Sequence, residues 1–237
     1  MAYAISTKGL SKKYGSYHAN DDITVNIEEG AIYGLIGRNG AGKTTFMRML
    51  LGLSKPTKGE MSLLGKDVFE ARKETGSIIE TPAFYQEFTA YQNLEIRAKL
   101  LGLNHAEAAI QEALREVDLL DKKNQRVKEY SLGMRQSLGI ACAILGDPKL
   151  LILDEPINGL DPIAIANIRN ILLKLNKKGV TILISSHILG EMEKIATHYG
   201  FIKKGKLVKE ITEKEVKEQN IDLEQLFIEL VGGIVNE

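Results

Sequence analysis

The chain has 237 residues, enough to bury a substantial core in one domain with an insertion or in two small domains. Lysine plus arginine and aspartate plus glutamate both number 31, so no charge excess points to general nucleic-acid binding. The single cysteine, Cys142 in the apolar run GIACAILG, excludes an intramolecular disulfide framework and reads as a small buried hydrophobe of a reducing compartment.

In chain order, the N-terminal MAYAISTKGLSKKYG has no apolar leader core. No apolar run reaches the ~18 residues of a membrane span, so a cytosolic chain that does not itself cross the membrane is expected. AIYGLIG (31–37) reads as a buried strand followed at once by a glycine turn and the helix TTFMRMLLGL. GSIIETPAFYQ (76–86) reads as a short strand that stops at Glu80 and breaks on a Thr-Pro turn. Glu80 is then either a solvated strand end or a side chain delivered to a site.

From about 81 to 145 the pattern turns helical. TAYQNLEIRAKLLGL carries Leu94, Ala98 and Leu101 on one face and stops near Gly102. HAEAAIQEALREVDLL carries Ile110, Leu114 and Val117. KLLILDEP (149–156) and GVTILISSH (179–187) return to buried strands that end in polar residues. KKGKLVKEITEKEVKEQN reads as a mixed-charge solvated surface. The helix IDLEQLFIELVGG follows it, with Leu223, Leu226, Phe227 and Leu230 on one face and Gly232 and Gly233 as its stop. Strands alternating with helices imply an α/β fold in which ligands gather beyond the carboxyl ends of the strands.

GRNGAGKT (37–44) has the G-x-x-x-x-G-K-[ST] spacing between a strand and a helix. Gly37, Gly40 and Gly42 let the backbone wrap an anion, so the N–H groups from Arg38, Asn39 and Ala41 to Thr45 face phosphate oxygens. Lys43 reaches the β- and γ-phosphates and the Thr44 hydroxyl ligates Mg²⁺. Asp154 ends the LLILD strand where P-loop proteins hold Mg²⁺, and Glu155 is the base or orienter of an attacking water. His187 is either structural or a donor to the γ-phosphate.

These residues, in this order, resemble the ATP-binding subunit of an ABC transporter over nearly the whole chain. YSLGMRQ (130–136) is similar to the family signature LSGGQ. Ser131 and Gly133 match its serine and second glycine, while Leu132 and Met134 depart from its first glycine and its glutamine. NGLDP (158–162) resembles the D-loop, with Asp161 its aspartate and Asn158 in place of serine. Tyr14 in KKYG matches the aromatic that stacks on adenine, and His187 matches the switch histidine.

The resemblance implies a P-loop NTPase with a RecA-like core and mixed sheet, an inserted helical subdomain and a short N-terminal antiparallel β region. It divides the chain into a nucleotide-binding core (1–80 and 146–205), the helical subdomain (81–145) and a C-terminal extension with a terminal helix (206–237). It also implies ATP and Mg²⁺ as cofactors and a head-to-tail dimer in which Ser131 of one copy completes the site of the other. Separate membrane permease subunits would convert closure and opening into transport at the cytoplasmic face of the membrane.

Most members of the family carry a glutamine where the core joins the helical subdomain. The usual pattern, laid without gaps on GSIIETPAFYQEFTAYQNL, matches Gly76, Tyr85, Thr89, Asn93 and Leu94 and puts Glu80 in its place. Gln86 is the rival candidate, but choosing it loses those matches. A carboxylate there binds Mg²⁺ more strongly than an amide, and without metal it is repelled by Asp154 and Glu155. A glutamate at this junction, with SLGMRQ and EPINGLDP, resembles the bacitracin and lantibiotic self-protection branch found in Gram-positive bacteria. The alternatives are an exporter of another drug, a lipid or an ion, or a soluble ABC ATPase outside transport.

Overall fold

A computed structural model describes residues 2–231 of the chain. The stop expected at Gly232 and Gly233 lies outside the described residues. Two long strands open the fold, β1 (Tyr3–Tyr14) and β2 (Tyr17–Glu28). Their hairpin turns tightly because Gly15 adopts φ +59°, which leaves Tyr14 paired directly with Tyr17. There follow β3 (Ile32–Ile36), α1 (Lys43–Leu50), β4 (Lys58–Leu63), α2 (Val68–Ala71) and β5 (Thr75–Ile78). The helical stretch comprises α3 (Ala90–Leu101), α4 (Ala106–Glu116) and α5 (Leu132–Ile144). The chain then runs through β6 (Leu150–Asp154), α6 (Pro162–Lys177), β7 (Thr181–Ser186), α7 (Leu189–Met192), β8 (His198–Lys203), β9 (Lys206–Thr212), α8 (Glu213–Glu218) and α9 (Leu223–Val231).

The strands form two sheets. One is antiparallel with order β2-β1-β4, and the other has six strands in the order β5-β6-β7-β3-β8-β9. All pairs of the larger sheet are parallel except β8–β9. Every residue of β3, β6 and β7 is buried, as expected of parallel strands covered on both faces. Alternate residues serve different cores. Ile32, Ile36, Leu151, Leu153 and Ile184 pack toward α3–α6, whereas Leu35, Leu150, Ile152 and Leu183 pack toward α1 and the antiparallel sheet. Helix α1 lies between the sheets with Phe46, Met47, Met49 and Leu50 at 0–1% exposure, so the loop entering it is clamped from both sides.

Helix boundaries follow local chemistry. Thr89 and Gln92 form a capping box on α3, and Gly102 ends it at φ +68°. Asp161 caps α6 by accepting from Ile163 and Ala164, with Pro162 in the first turn. Val117 is buried with Ile110 and Leu114, although it is the C-cap of α4 and not part of the helix.

One expectation needs correcting. The strand after Gly76 ends at Ile78, not at Glu80, because Glu80 takes φ +61°, which an extended ladder cannot contain. The segment read as a mixed-charge solvated surface is mostly exposed and takes regular structure, with β9 an edge strand on β8 and α8 after it. Most of β9 stays exposed, so its weak apolar alternation carries little sequence signal.

Candidate active site

The ends of β3, β6 and β7 meet at one place. After β3 the chain turns through Gly40 at φ +80° and Gly42 at φ +108° into α1, which has no side-chain cap. A Cβ on Gly42 would collide with the Ala19 carbonyl oxygen, so glycine is required by space as well as by angle. The first helical bond runs from the Phe46 N–H to the Gly42 carbonyl at 3.0 Å. The N–H groups of Lys43, Thr44 and Thr45 therefore have no acceptor within the helix and, with the helix dipole, favour an anion.

One side-chain network joins the three strands. Thr44 Oγ1 donates to Asp154 Oδ2 at 2.7 Å, and Ser185 Oγ donates to Asp154 Oδ1 at 2.6 Å. Ser185 Oγ in turn accepts the Glu155 N–H at 2.9 Å. His187 Nδ1 lies 2.9 Å from Glu155 Oε2. Lys43 Nζ donates to the Gly37 carbonyl at 2.6 Å and sits 3.1 Å from Glu155 Oε1. That last contact is an ion pair without hydrogen-bond geometry, which leaves Oε1 a buried acceptor with capacity to spare. Glu155 adopts φ +48°, a strained angle for a side-chain-bearing residue of the kind that clusters at functional sites.

An anion and a hard cation fit this donor set. Asp154 is 3% exposed, and its two oxygens are oriented by hydroxyls. Thr44 and Asp154 together present oxygen ligands at the mouth of the phosphate loop, the incomplete set that suits Mg²⁺ shared with a substrate phosphate. Among the described residues there is no cluster of three or more histidine, cysteine or acidic side chains that would make an all-protein metal cage. The cleft above the loop holds about 270 Å³ and is lined by Tyr14, Tyr17, Ala19, residues 39–45 and Glu155. A larger cavity of about 790 Å³ lies elsewhere, between α4 and the end of α6, so size alone does not locate the site.

Tyr14 is half exposed beside this cleft, with Lys12 Nζ 4.9 Å from its ring centroid. Nothing in the local sequence marks Tyr17 or Arg48 as a site residue. The two serines ending the apolar β7 run were the only available signal for Ser185.

The remaining candidates lie apart. Ser131 caps α5 by accepting from Met134, and Gly133 comes so close to α6 that a Cβ there would lie 2.8 Å from Ala164 Cβ. Asp161 is engaged by its own helix. None of the three lines the phosphate cleft of this chain. Glu80 pairs with Arg48 Nη2 at 2.8 Å and is 63% exposed. Arg48 is one helical turn beyond Thr44, so Glu80 is tethered to the face of α1 that carries the Thr44 hydroxyl.

The family described as ABC transporter matches residues 20–158. The bacitracin transport ATP-binding protein BcrA of Bacillus licheniformis is 48% identical over 225 residues, covering 93% of this chain and 73% of that protein. The lantibiotic transport ATP-binding protein SrtF of Streptococcus pyogenes is 42% identical over 224 residues, covering 94% of this chain and 95% of its own length. A solved ATP-binding subunit of an ABC transporter superposes with a TM-score of 0.84 at 32% identity, covering 96% of this chain and 99% of that one.

Proposed function

The chain belongs to the ABC transporter family as an ATP-binding subunit, and from that premise we propose that it hydrolyses ATP to drive removal of bacitracin- or lantibiotic-type peptides. One observation carries the catalytic reading: Glu155 is held between His187 and Lys43 beside the phosphate loop. The cargo reading rests on the names of relatives that are 42–48% identical over at least 93% of this chain.

The N–H groups of residues 43–45 and the Lys43 ammonium hold the β- and γ-phosphates. Thr44 and Asp154 would hold Mg²⁺, which would supply charge neutralisation to the phosphates. Glu155 accepts the proton of the water that attacks the γ-phosphorus, and the bridging oxygen leaves with ADP. His187 orients that carboxylate. A neutral ring that donates from Nδ1 to Glu155 has no proton on Nε2, so donation from Nε2 to a phosphate needs the doubly protonated ring. Tyr14, and with it Tyr17, forms the aromatic wall for the base.

We assign Ser131, Gly133 and Asp161 to a site shared between two copies packed head to tail. Leu132 (46% exposed) and Ile163 (75% exposed), beside them, support an interface there. No helix among the described residues is long and apolar enough to cross a membrane. Separate permease subunits are assigned the transport path. Glu80 is proposed as a Mg²⁺-sensitive coupling residue, since its loop runs from the phosphate site to the helical subdomain and is braced there by Asn93.

The test is resistance. Cells carrying the chain and its membrane partner, but with Glu155→Gln, should become as sensitive to bacitracin or a lantibiotic as a deletion strain. Equal resistance of the deletion strain to every peptide tested would remove the cargo reading while leaving the ATPase reading intact.

A further inference from the structure

Strand β2 carries a buried asparagine that none of the motifs uses. Asn20 is 0% exposed, and its Nδ2 donates to the Gly42 carbonyl at 3.1 Å. That carbonyl also accepts the first helical bond of α1. The other half of the amide is idle, because Oδ1 is buried and meets no donor among the described residues. The orientation is dictated by the acceptor, since a flipped amide would set Oδ1 against the Gly42 oxygen. The neighbouring buried side chains of β2, from Ala19 and Ile23 to Val25, are apolar. A leucine at position 20 would keep the branching and heavy-atom count without a stranded acceptor, so folding alone does not explain an asparagine here.

What the working half of the amide holds is a peptide plane. Gly42 C=O and Lys43 N–H belong to one trans peptide unit and point in opposite directions. Fixing the carbonyl toward Asn20 therefore fixes the Lys43 N–H toward the phosphate cleft. The preceding plane is tied in the same way, because Gly205 N–H donates to the Ala41 carbonyl at 2.8 Å. Gly205 is itself anchored by Asp21 N–H at 2.8 Å, one residue along from Asn20. The backs of two successive peptide units are thus hydrogen-bonded, one by the β8–β9 turn and one by a side chain. Only the second can be removed by substitution without altering the backbone.

We propose that Asn20 is a positioning residue of the nucleotide site, holding the Gly42–Lys43 peptide so that its N–H faces phosphate, at the expense of one unsatisfied buried oxygen. This rests on the reading that the loop binds ATP.

The proposal predicts opposite signs for stability and binding in one variant. In the full chain, Asn20→Leu should melt without nucleotide at or above the wild-type temperature. Its Kd for ATP, read by displacement of a fluorescent ATP analogue, should rise about 5- to 10-fold, the worth of roughly one hydrogen bond. KM should rise with Kd, and kcat should fall by less than KM rises. Asn20→Ala provides a second variant in case the leucine does not fold, and it should show the same loss of ATP affinity. Wild-type Kd in both variants overturns the proposal, and so does a parallel fall of stability and affinity in both, which would mark a role in folding only. Lys43→Ala serves as the control. If wild type and Lys43→Ala bind ATP equally poorly, the nucleotide reading falls, whereas tight wild-type binding with no change at position 20 overturns the role of Asn20 alone.

Discussion

The ends of β3, β6 and β7 and the loops around Ser131, Asp161 and Glu80 are built on contrasting terms. At the strand ends the polar groups meet one another across the sheet, linking Thr44, Asp154, Ser185, Glu155, His187 and Lys43, with Glu155 Oε1 left to an ion pair alone. In the loops, Ser131 and Asp161 satisfy backbone N–H groups of their own helices, and Glu80 makes a half-exposed ion pair. Groups that act within one chain can be pre-positioned by burial, whereas groups that meet another subunit must stay stable in water until it arrives. The same site is thus rigid on its own side and locally self-sufficient on the side we assign to partners.

The sharpest way to break this contrast is to exchange the two acids separately. Glu155→Gln should lower ATPase activity about 10²- to 10⁴-fold while leaving ATP affinity within a few-fold, measured by phosphate release and by binding. Glu80→Gln should cost less than about 10-fold in the same assay, because it removes an exposed charge and not the base. If Glu80→Gln silences hydrolysis as fully as Glu155→Gln, the proposed coupling role of Glu80 is wrong and the contrast between the regions disappears.

Ser185→Ala tests whether burial positions the strand-end groups. It should raise the Mg²⁺ concentration for half-maximal activity about 10-fold, because a supporting hydrogen bond to the Asp154 carboxylate is lost. An unchanged Mg²⁺ dependence would mean that Ser185 only fills space. Ser131→Asp separates the two duties assigned to Ser131. An aspartate caps a helix as well as a serine, so the melting temperature should hold within a few degrees. The added charge opposite a phosphate should nonetheless suppress ATPase activity of the paired subunits.

A smaller effect is expected where α4 meets α6. Glu116 is 7% exposed and is gripped by Lys178 at 2.7 Å and Lys174 at 3.2 Å. Burial alone would raise its carboxyl, but the hydrogen bond from Lys178 and the ion pair with Lys174 outweigh it and hold the group below its ordinary value. A lowered folded value contributes stability above the unfolded value of about 4.3, and that contribution is lost as pH falls through the folded value. Glu116→Gln should therefore flatten the loss of stability on acidification from pH 5 toward 3, followed by urea unfolding. At pH 7 it should cost about 1–2 kcal/mol, since both lysines are half exposed and recover hydration. An acid slope as steep as that of the wild type would show that the pair contributes nothing.

Much of the architecture is legible in local pattern. The apolar runs ending at Gly37, Asp154 and His187 are the strand ends that meet, and the helical faces of Leu94 and Ala98 and of Ile110 and Leu114 are buried as their spacing requires. The phosphate loop is also local, since its glycines, lysine and threonine are contiguous. Glu155 and Glu80 were singled out by position, but their left-handed backbone angles were not, because nothing in a glutamate side chain favours that conformation.

What the chain determines by itself, then, is which residue types fall at which end of which element, because periodicity and turn chemistry act over a few neighbours. Only the tertiary structure decides which of those ends share a hydrogen bond. Thr44 and Asp154 are 110 positions apart, and Asn20 on β2 reaches Gly42, 22 positions further along at the start of α1. The exposed Glu80 acquires Arg48 in the same way, from a helix 32 positions earlier. The physical reason is that a buried polar group must find its partner wherever packing brings one within about 3 Å, and that distance has no counterpart in sequence spacing.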